Sequence, residues 1–168
     1  MKTKFEILII MIFGCLIINC KQQEEKTEVK EVKVDLLNDE FPNAQLEVKL
    51  TMDSIAQSVK ERDLDRLISF HAYSPKYTEF KNGELRIGGE ENERFERIIF
   101  EEITEVVKFD FSDMKIAIYD NLANVTAHTD FHLKFGEELA IVNEQMTMLL
   151  LKTKEGWRIV HEHRSLKF

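Results

Sequence analysis

The sequence predicts an α+β domain in which helices cover one face of a curved antiparallel sheet. Two patterns support this prediction. Apolar residues recur at the helical period from residue 44 to about 103, and from residue 106 onward they alternate along runs separated by short turns. Helices that come first and strands that come second imply a layer of each, packed together. A chain of 168 residues suffices for one such domain.

The first 19 residues have the features of a bacterial signal peptide. Lys2 and Lys4 precede an uncharged run, 7–18, that would span about 18 Å as a helix, less than the roughly 30 Å of a bilayer core. The segment that ends in Asn19 and Cys20 resembles a lipobox, although Gly, Ala or Ser is commoner than Asn19. This resemblance implies cleavage before Cys20, lipidation of its thiol, export across the cytoplasmic membrane and a lipid anchor in the bacterial cell envelope. The alternative is an ordinary signal peptide with incidental cysteines.

Charge and cysteine content exclude several classes of function. The formal net charge is −8, which disfavours binding to nucleic acid. Both cysteines, Cys15 and Cys20, precede the domain, so it has no thiol for a disulfide, a cysteine zinc site or a nucleophile. The sequence also lacks a glycine-rich phosphate loop and a zinc-protease helix. We therefore predict neither a cofactor nor a metal.

A charged tether is predicted between the lipid anchor and the domain. Residues 21–35 alternate lysine with glutamate and contain only three valines, too little apolar surface to offset the entropy of ordering. We assign 20–43 to the lipidated cysteine and tether, and 44–168 to the domain. An edge strand or helix over 29–37 is the alternative.

Three helices and a hairpin open the domain. Asp63 is a predicted N-cap between the first two helices, and Asn82-Gly83 predicts a tight hairpin turn. Acidic residues after Gly88-Gly89 favour the start of a third helix. The predicted buried stripes of the helices are Leu46, Leu50, Ile55 and Val59, then Leu64, Leu67 and Ile68, then Phe95, Ile98, Ile99 and Ile103.

Strands follow to the end of the chain. The longest alternation places Val125, Phe131 and their neighbours on one face, with His128 and His132 on the other. Short turns separate the predicted strands, which are 106–111, 115–119, 122–135, 139–153 and 157–166.

The closing segment resembles a known family. The residues from Trp157 to Ser165, with the pattern W-x-I-x-H-x-H-x-S, are similar to the last strand of SnoaL-like proteins of the nuclear transport factor 2-like superfamily. The order of helices, hairpin, helix and strands agrees over about 46–168. The resemblance implies a cone, in which a strongly curved antiparallel sheet wraps around three N-terminal helices and leaves a cavity at the open end. It implies no particular chemistry, since the family includes isomerases, dehydratases, cyclases and binding modules.

His161 and His163 are candidate pocket residues. Two residues apart on a strand, their Cα atoms would lie about 6.6 Å apart on one face, which we expect to include Trp157, Ile159 and Ser165. Hydrogen bonding between strands is the structural alternative, and a metal would need a third ligand from elsewhere.

Five further residues complete the candidate pocket: His71, Tyr73, Tyr77, Glu144 and Met148. The first three lie where the second helix passes into the hairpin, which borders the cavity mouth in the resembled fold; they could instead close the edge of the core. Glu144 and Met148 share one strand face. If that face lines the cavity, burial would make Glu144 a candidate general base. The opposite face is apolar too, so the sequence leaves open which one faces inward.

The polar face of the long strand is a candidate dimer interface. Thr126, His128, Asp130 and His132 share it, and in the resembled superfamily this face often joins two copies. A solvated face is the alternative. His128 and His132 lie about 13 Å apart along a strand, too far to ligate one ion.

Three functions are compatible with these features. The first is a lipid-anchored domain that binds a small apolar or amphipathic molecule. The second is an isomerase, lyase or cyclase with Glu144 or His71 as proton carrier. The third is a dimeric interaction module of the envelope.

Overall fold

The computed structural model describes residues 34–167. The predicted signal peptide, Cys20 and the tether up to Lys33 lie outside the described residues. The helices are α1 (Pro42–Lys60), α2 (Leu64–Ser69) and α3 (Gly89–Glu102). The strands are β1 (Thr78–Lys81), β2 (Glu84–Ile87), β3 (Glu105–Tyr119), β4 (Leu122–Phe135), β5 (Glu138–Val142), β6 (Glu144–Thr153) and β7 (Gly156–Leu166).

Seven strands form one curved sheet with the helices on its inner side, which confirms the predicted α+β class. The order is β2-β1-β7-β6-β4-β3, with β5 also paired to β4. All neighbours run antiparallel except β1 and β7, which are parallel. Register shifts in β3 and between β6 and β7 bend the strands, because an extra residue on one strand increases its local twist.

Two predicted strand boundaries are wrong. The runs 106–111 and 115–119 are one strand, β3, since Asp113 at φ 51° belongs to a bulge rather than to a chain reversal. The run 139–153 is interrupted at Asn143, yet β5 and β6 keep the same register along β4. At the interruption the Thr129 hydroxyl accepts a hydrogen bond from the Glu144 N–H at 2.9 Å and donates one to the Val142 carbonyl at 3.3 Å.

Helix α1 supplies the main helical wall of the core, and its buried stripe agrees in part with the predicted one. Its buried apolar residues are Val48, Met52, Ile55 and Val59, whereas Leu46 and Leu50 are 56% and 55% exposed. The prediction is confirmed for Ile55 and Val59 and wrong for Leu46 and Leu50, because two apolar rows occupy opposite sides of the first turns and packing against the sheet selects the other row. The Trp157 indole N–H donates to Glu47 at 3.0 Å and ties the helix to β7.

Single residues determine where α2 begins, where β1 turns into β2 and where α3 begins. The Asp63 side chain accepts a hydrogen bond from the Arg66 N–H at 3.0 Å, as predicted for an N-cap. Asn82 and Gly83 have φ values of 51° and 91°, the left-handed conformations of a tight hairpin turn. Helix α3 begins at Gly89, where a Cβ atom would lie 2.2 Å from the Tyr73 carbonyl carbon. Only glycine fits there.

Helix α3 lies over the inner side of the sheet and is buried mainly at its ends. Gly89 and Asn92 are buried within it, and Ile103 follows it at 1% exposure. Ile98 is 46% exposed, which corrects its assignment to the buried stripe. The middle of the helix therefore presents half-buried side chains to the interior of the cone.

Candidate functional site

A β-bulge in β7 determines which polar residues face the interior. Leu150 pairs with Ile159 and Leu149 pairs with His161, so Val160 is the extra residue. Beyond the bulge, the alternation of inward-facing and outward-facing side chains is inverted.

Ile159 and Glu162 are both buried as a result, whereas His163 is exposed. The expectation that His161 and His163 share a face with Trp157 and Ile159 is therefore wrong. A strict period of two cannot reveal an inserted residue.

A chain of three charged groups lies on the inner wall of the sheet, just beyond the bulge in β7. The Glu162 carboxylate accepts hydrogen bonds from Arg164 Nε at 3.0 Å and Nη2 at 2.6 Å. Its other oxygen lies 3.3 Å from His71 Nε2, and His71 Nδ1 lies 3.2 Å from the Leu67 carbonyl oxygen. Since both partners of the imidazole are acceptors, the geometry favours a ring protonated on both nitrogens.

The ionisation of these groups follows from burial and pairing. Burial alone would lower the pKa of His71, but the hydrogen bond and charge of Glu162 outweigh it and raise that pKa above its ordinary value. Burial would raise the pKa of Glu162, but Arg164 and His71 hold it well below its usual range. We therefore describe the three groups as a buried cation–anion–cation chain.

Aromatic rings surround the histidine. The Tyr73 ring stacks on His71 with centroids 4.9 Å apart, and Tyr77 meets both rings edge-on, at 6.1 Å from His71 and 5.0 Å from Tyr73. The Tyr73 hydroxyl is buried and has no hydrogen-bond partner among residues 34–167. Burial raises the pKa of both phenols, so they remain neutral. The three residues that the sequence analysis grouped thus contact one another.

A second group of charges continues toward the hairpin. The Arg86 guanidinium lies 3.5 Å from the buried Glu79 carboxylate and 3.4 Å above the centre of the Phe95 ring. Burial, reinforced by Glu162, raises the pKa of Glu79 above its ordinary value. Glu96 of α3 and Lys81 of β1 make no hydrogen bond or ion pair within the described part of the chain.

Two small cavities lie between α3 and the sheet. The first, which we call the histidine cavity, measures about 30 Å³ and the second, the lysine cavity, about 60 Å³, each enough for a few water molecules. Residues that line both are Glu96, Phe100, Phe109, Phe131 and Arg164. The histidine cavity adds Ile55, Val59, Leu67, His71, Phe111, Met146, Met148, Ile159 and Glu162. The lysine cavity adds Glu79, Lys81, Arg86, Phe95, Ile99, Ile103, Leu133 and Val142.

Both cavities combine apolar walls with convergent charged groups. Small-molecule sites of proteins are larger, but they have the same combination of apolar walls and a few polar groups. A larger depression of about 620 Å³ lies outside, beside Tyr73 and the first turn of α3, but it is wide open to solvent.

Glu144 faces inward but lines neither cavity. It is 1% exposed, shares its face with the buried Met146 and Met148, and accepts a hydrogen bond from Asn82 Nδ2 at 3.2 Å. Its other carboxylate oxygen is buried without a partner among the described residues. The strand face that carries Glu144 and Met148, which the sequence left undecided, is thus the inner one. Met148 lies on the wall of the histidine cavity.

His161 and His163 lie on the outer side of the sheet. Their rings meet Phe80 edge-on at 6.4 and 6.0 Å, and His161 Nδ1 lies 2.8 Å from the Thr78 hydroxyl. They contribute to the pairing of β1 with β7 and not to the interior.

The predicted dimer-face residues also lie on the outer side. His128 Nδ1 is 3.0 Å from Asp113, and Asp130 pairs with both Lys108 and His132. Thr126 lies on the same face, opposite Lys115 of β3.

Sequence reasoning missed most of the charged residues of the interior. Glu162, Arg164, Glu79 and Arg86 resemble ordinary solvent-facing charges in alternating strands, and Glu96 resembles a surface position of an acidic helix. A signal was present for one pair, since Glu79 and Arg86 occupy facing positions around the predicted Asn-Gly turn.

Residues 34–167 contain no cluster of three or more His, Cys, Asp or Glu side chains arranged to hold a metal ion. None of their helices combines the length and the apolar character that crossing a bilayer requires.

Comparisons with known proteins agree with the resemblance seen in the last strand. The SnoaL-like domain family matches residues 48–168. No functionally curated protein matched the chain.

Several solved structures have the same fold. A protein from Streptomyces avermitilis, provisionally assigned as a dehydratase of the nuclear transport factor 2-like family, superposes with a TM-score of 0.68 at 18% identity, over 76% of this chain and 99% of that one. A superfamily member from Salmonella enterica gives 0.67 at 16% identity, over 76% and 93%. A Novosphingobium aromaticivorans protein, provisionally assigned as an aromatic ring hydroxylase, gives 0.66 at 12% identity, over 77% and 93%. At these identities the likeness establishes the fold and no activity.

Proposed function

The chain belongs to the SnoaL-like domain family, and from that premise we propose that it binds a small apolar or amphipathic molecule inside the cone. The supporting observation is the pair of cavities beneath α3, where aromatic and methionine side chains meet the buried chain of His71, Glu162 and Arg164. Such walls favour an apolar body, and the charged end favours one polar group on the ligand.

Entry of a ligand requires the two cavities to merge. Phe100 and Glu96 line both, so they lie between them, and both are only half-buried. Rotation of these side chains removes the division without disturbing the fully buried core of α1 and the sheet. The merged space would accept a molecule with a short chain or a single ring.

Native mass spectrometry of the full chain, purified in mild detergent, tests this proposal. We expect a non-covalent adduct on the wild-type protein. Phe100→Trp fills the cavities with a larger ring and should abolish the adduct. Ile98→Phe, at an exposed position of the same helix, should retain it.

The proposal fails if the protein carries no adduct and none of a series of short alcohols and simple aromatic compounds raises its melting temperature. It also fails if Phe100→Trp binds such a compound as tightly as Ile98→Phe does.

We also propose that Cys20 carries the lipid anchor and that the domain acts at the bacterial cell envelope. The sequence around Cys20 supports this assignment. Metabolic labelling with an alkyne fatty acid should mark the wild-type chain and the Cys15→Ser variant. Cys20→Ser should lose the label, and equal labelling of both variants would contradict the assignment.

A second candidate function is proton transfer by His71. The hydrogen bond from His71 to Glu162 favours it, since a paired carboxylate both orients an imidazole and stabilises its protonated form. One structure of the same fold belongs to a protein provisionally assigned as a dehydratase. Such an enzyme would convert a bound compound at a rate that falls in His71→Gln, whereas a binding protein would retain its ligand unchanged.

The outer face of the sheet supports a further proposal, that the protein forms a homodimer. Thr126, near the middle of this face, lies on an outer surface of β4 that no element of residues 34–167 covers. Light scattering over a range of concentrations should show a dimer for the wild type and a monomer for Thr126→Arg. A monomeric wild type at high concentration would contradict it.

A further inference from the structure

Lys81 lines the lysine cavity, and its charge has no partner among the described residues. It ends β1 and lies beside the inward-facing Arg164 of β7, on the wall of the lysine cavity. Its ammonium group makes no hydrogen bond or ion pair within residues 34–167. By contrast, Arg86 pairs with Glu79, and Arg164 pairs with Glu162.

The surroundings of Lys81 destabilise its protonated form. Burial and the neighbouring Arg164 lower its pKa below the ordinary lysine value, although Glu144, Glu96 and Glu79 act in the opposite direction. A lysine that is partly desolvated and lies beside another cation is the form in which this side chain acts as a nucleophile. The cavity in front of it has apolar walls and room for a small group.

We propose that Lys81 captures an aldehyde or ketone in the lysine cavity by forming an imine with it. The lone pair of the amine attacks the carbonyl carbon to give a carbinolamine. The carbon–oxygen bond then breaks, and the oxygen leaves as water with the two hydrogens that the nitrogen loses. The step needs neither an oxidant nor a reductant.

Glu96 is placed to assist this dehydration. Its carboxylate lines the same cavity from the opposite element, α3, and is unpaired within the described part of the chain. A carboxylate in that position can accept a proton from the nitrogen and return it to the departing oxygen. The inference narrows the ligand class of the proposed function, on which it rests, to small apolar carbonyl compounds.

Reductive trapping tests the inference. The full chain in mild detergent is treated with butanal and cyanoborohydride at about pH 6, where exposed lysines are protonated. Peptide mapping then measures the butylated fraction of each lysine. We expect Lys81 to be butylated at least about fivefold faster than the exposed Lys76, with a rate that saturates as butanal increases.

Matched variants complete the experiment. Lys81→Arg keeps the cation but should abolish the fast phase, and Lys76→Arg should retain it. Glu96→Gln should slow the reaction at Lys81, while Glu93→Gln, on the same helix but paired with Arg97, should not.

Butylation of Lys81 no faster than that of Lys76 overturns the inference. In that case 1-butanol, which has no carbonyl group, still tests the proposed function separately. A rise in melting temperature with 1-butanol that Phe100→Trp abolishes would leave the binding function standing without the imine.

Discussion

Strand β7 carries charged or titratable side chains on both of its faces, and the two faces differ in how far these side chains are buried and paired. On the inner face, Glu162 is 3% exposed and is held between His71 and Arg164. On the outer face, His163 is exposed beside Phe80. The contrast shows that residue type alone does not identify a site here, since burial and the position of one bulge decide which side chains interact strongly.

The same contrast extends across the sheet. Asp130 on the outer side of β4 pairs with Lys108 and His132, and the hydrogen bond from Lys108 lowers its pKa. Solvent screens such an exposed pair, and its contribution to stability is small. A buried carboxylate between two cations has no water to replace a lost partner, so its removal is costly.

Deletion of Val160 should have the largest effect, because it removes the bulge from β7. Without the extra residue, Glu162 follows Ile159 at a spacing of two, so Glu162 and Arg164 still face the core, but the strand loses the added twist that bends it. We expect a large fall in the melting temperature, measured by circular dichroism. Val160→Ala keeps the residue count and should retain a cooperative transition; similar melting of both variants would contradict the role of the bulge.

Removal of the inner carboxylate comes next. Glu162→Gln leaves Arg164 and His71 buried without an anion and should reduce the free energy of unfolding by about 3 kcal/mol or more. Asp130→Asn on the outer face should reduce it far less. Urea denaturation of both variants measures the difference, and equal losses would show that the two faces do not differ as described.

The pH dependence of stability should also depend on the inner face and not on the outer one. The pKa of His71 is raised from 6.5 in the folded state, so its stabilising contribution is complete below that value and is lost as the pH rises through the higher folded value. The pKa of Glu162 is lowered from 4.5, so its contribution is present above 4.5 and lost on acidification through the lower folded value. We expect stability to decline on the alkaline side of 6.5 and, separately, in acid.

Two histidine variants test this pH dependence by urea denaturation at a series of pH values. His71→Gln should flatten the alkaline decline, whereas His163→Asn on the outer face should leave it unchanged. A decline that survives in His71→Gln would assign it to another group.

The smallest effect is expected at the Tyr73 hydroxyl. It is buried without a partner among residues 34–167, so Tyr73→Phe removes an uncompensated polar group and keeps the ring that stacks on His71. We expect the free energy of unfolding to stay constant or rise by up to about 1 kcal/mol. A clear loss in thermal or urea unfolding would instead reveal that the hydroxyl has a partner in solution.

Much of the fold could be predicted from the sequence because its signals are local. The N-cap at Asp63, the hairpin turn at Asn82-Gly83 and the alternation along β4 each depend on a few neighbouring residues, and all three are confirmed. The stripe of α1 could not be predicted in the same way. Leu46 and Leu50 are as apolar as Val48 and Met52, and only packing against the sheet distinguishes the two rows.

The site was less predictable for the same physical reason. His71, Tyr73 and Tyr77 are close in sequence and were grouped correctly, whereas Glu162 and Arg164 reach them through pairing of distant strands. Lys81 and Glu96 come together only because α3 lies over the end of β1. Local patterns carry no information on such contacts.

The bulge at Val160 also affects how relatives of this chain should be aligned. The motif from Trp157 to Ser165 looks like a continuous strand, and an alignment without a gap would equate its two histidines with inward positions of an unbulged strand. Structural superposition would insert one residue at Val160 and match Glu162 and Arg164 to those positions instead. Site residues transferred between family members by sequence alone would therefore be displaced by one position in this strand, on the wall that lines the histidine cavity.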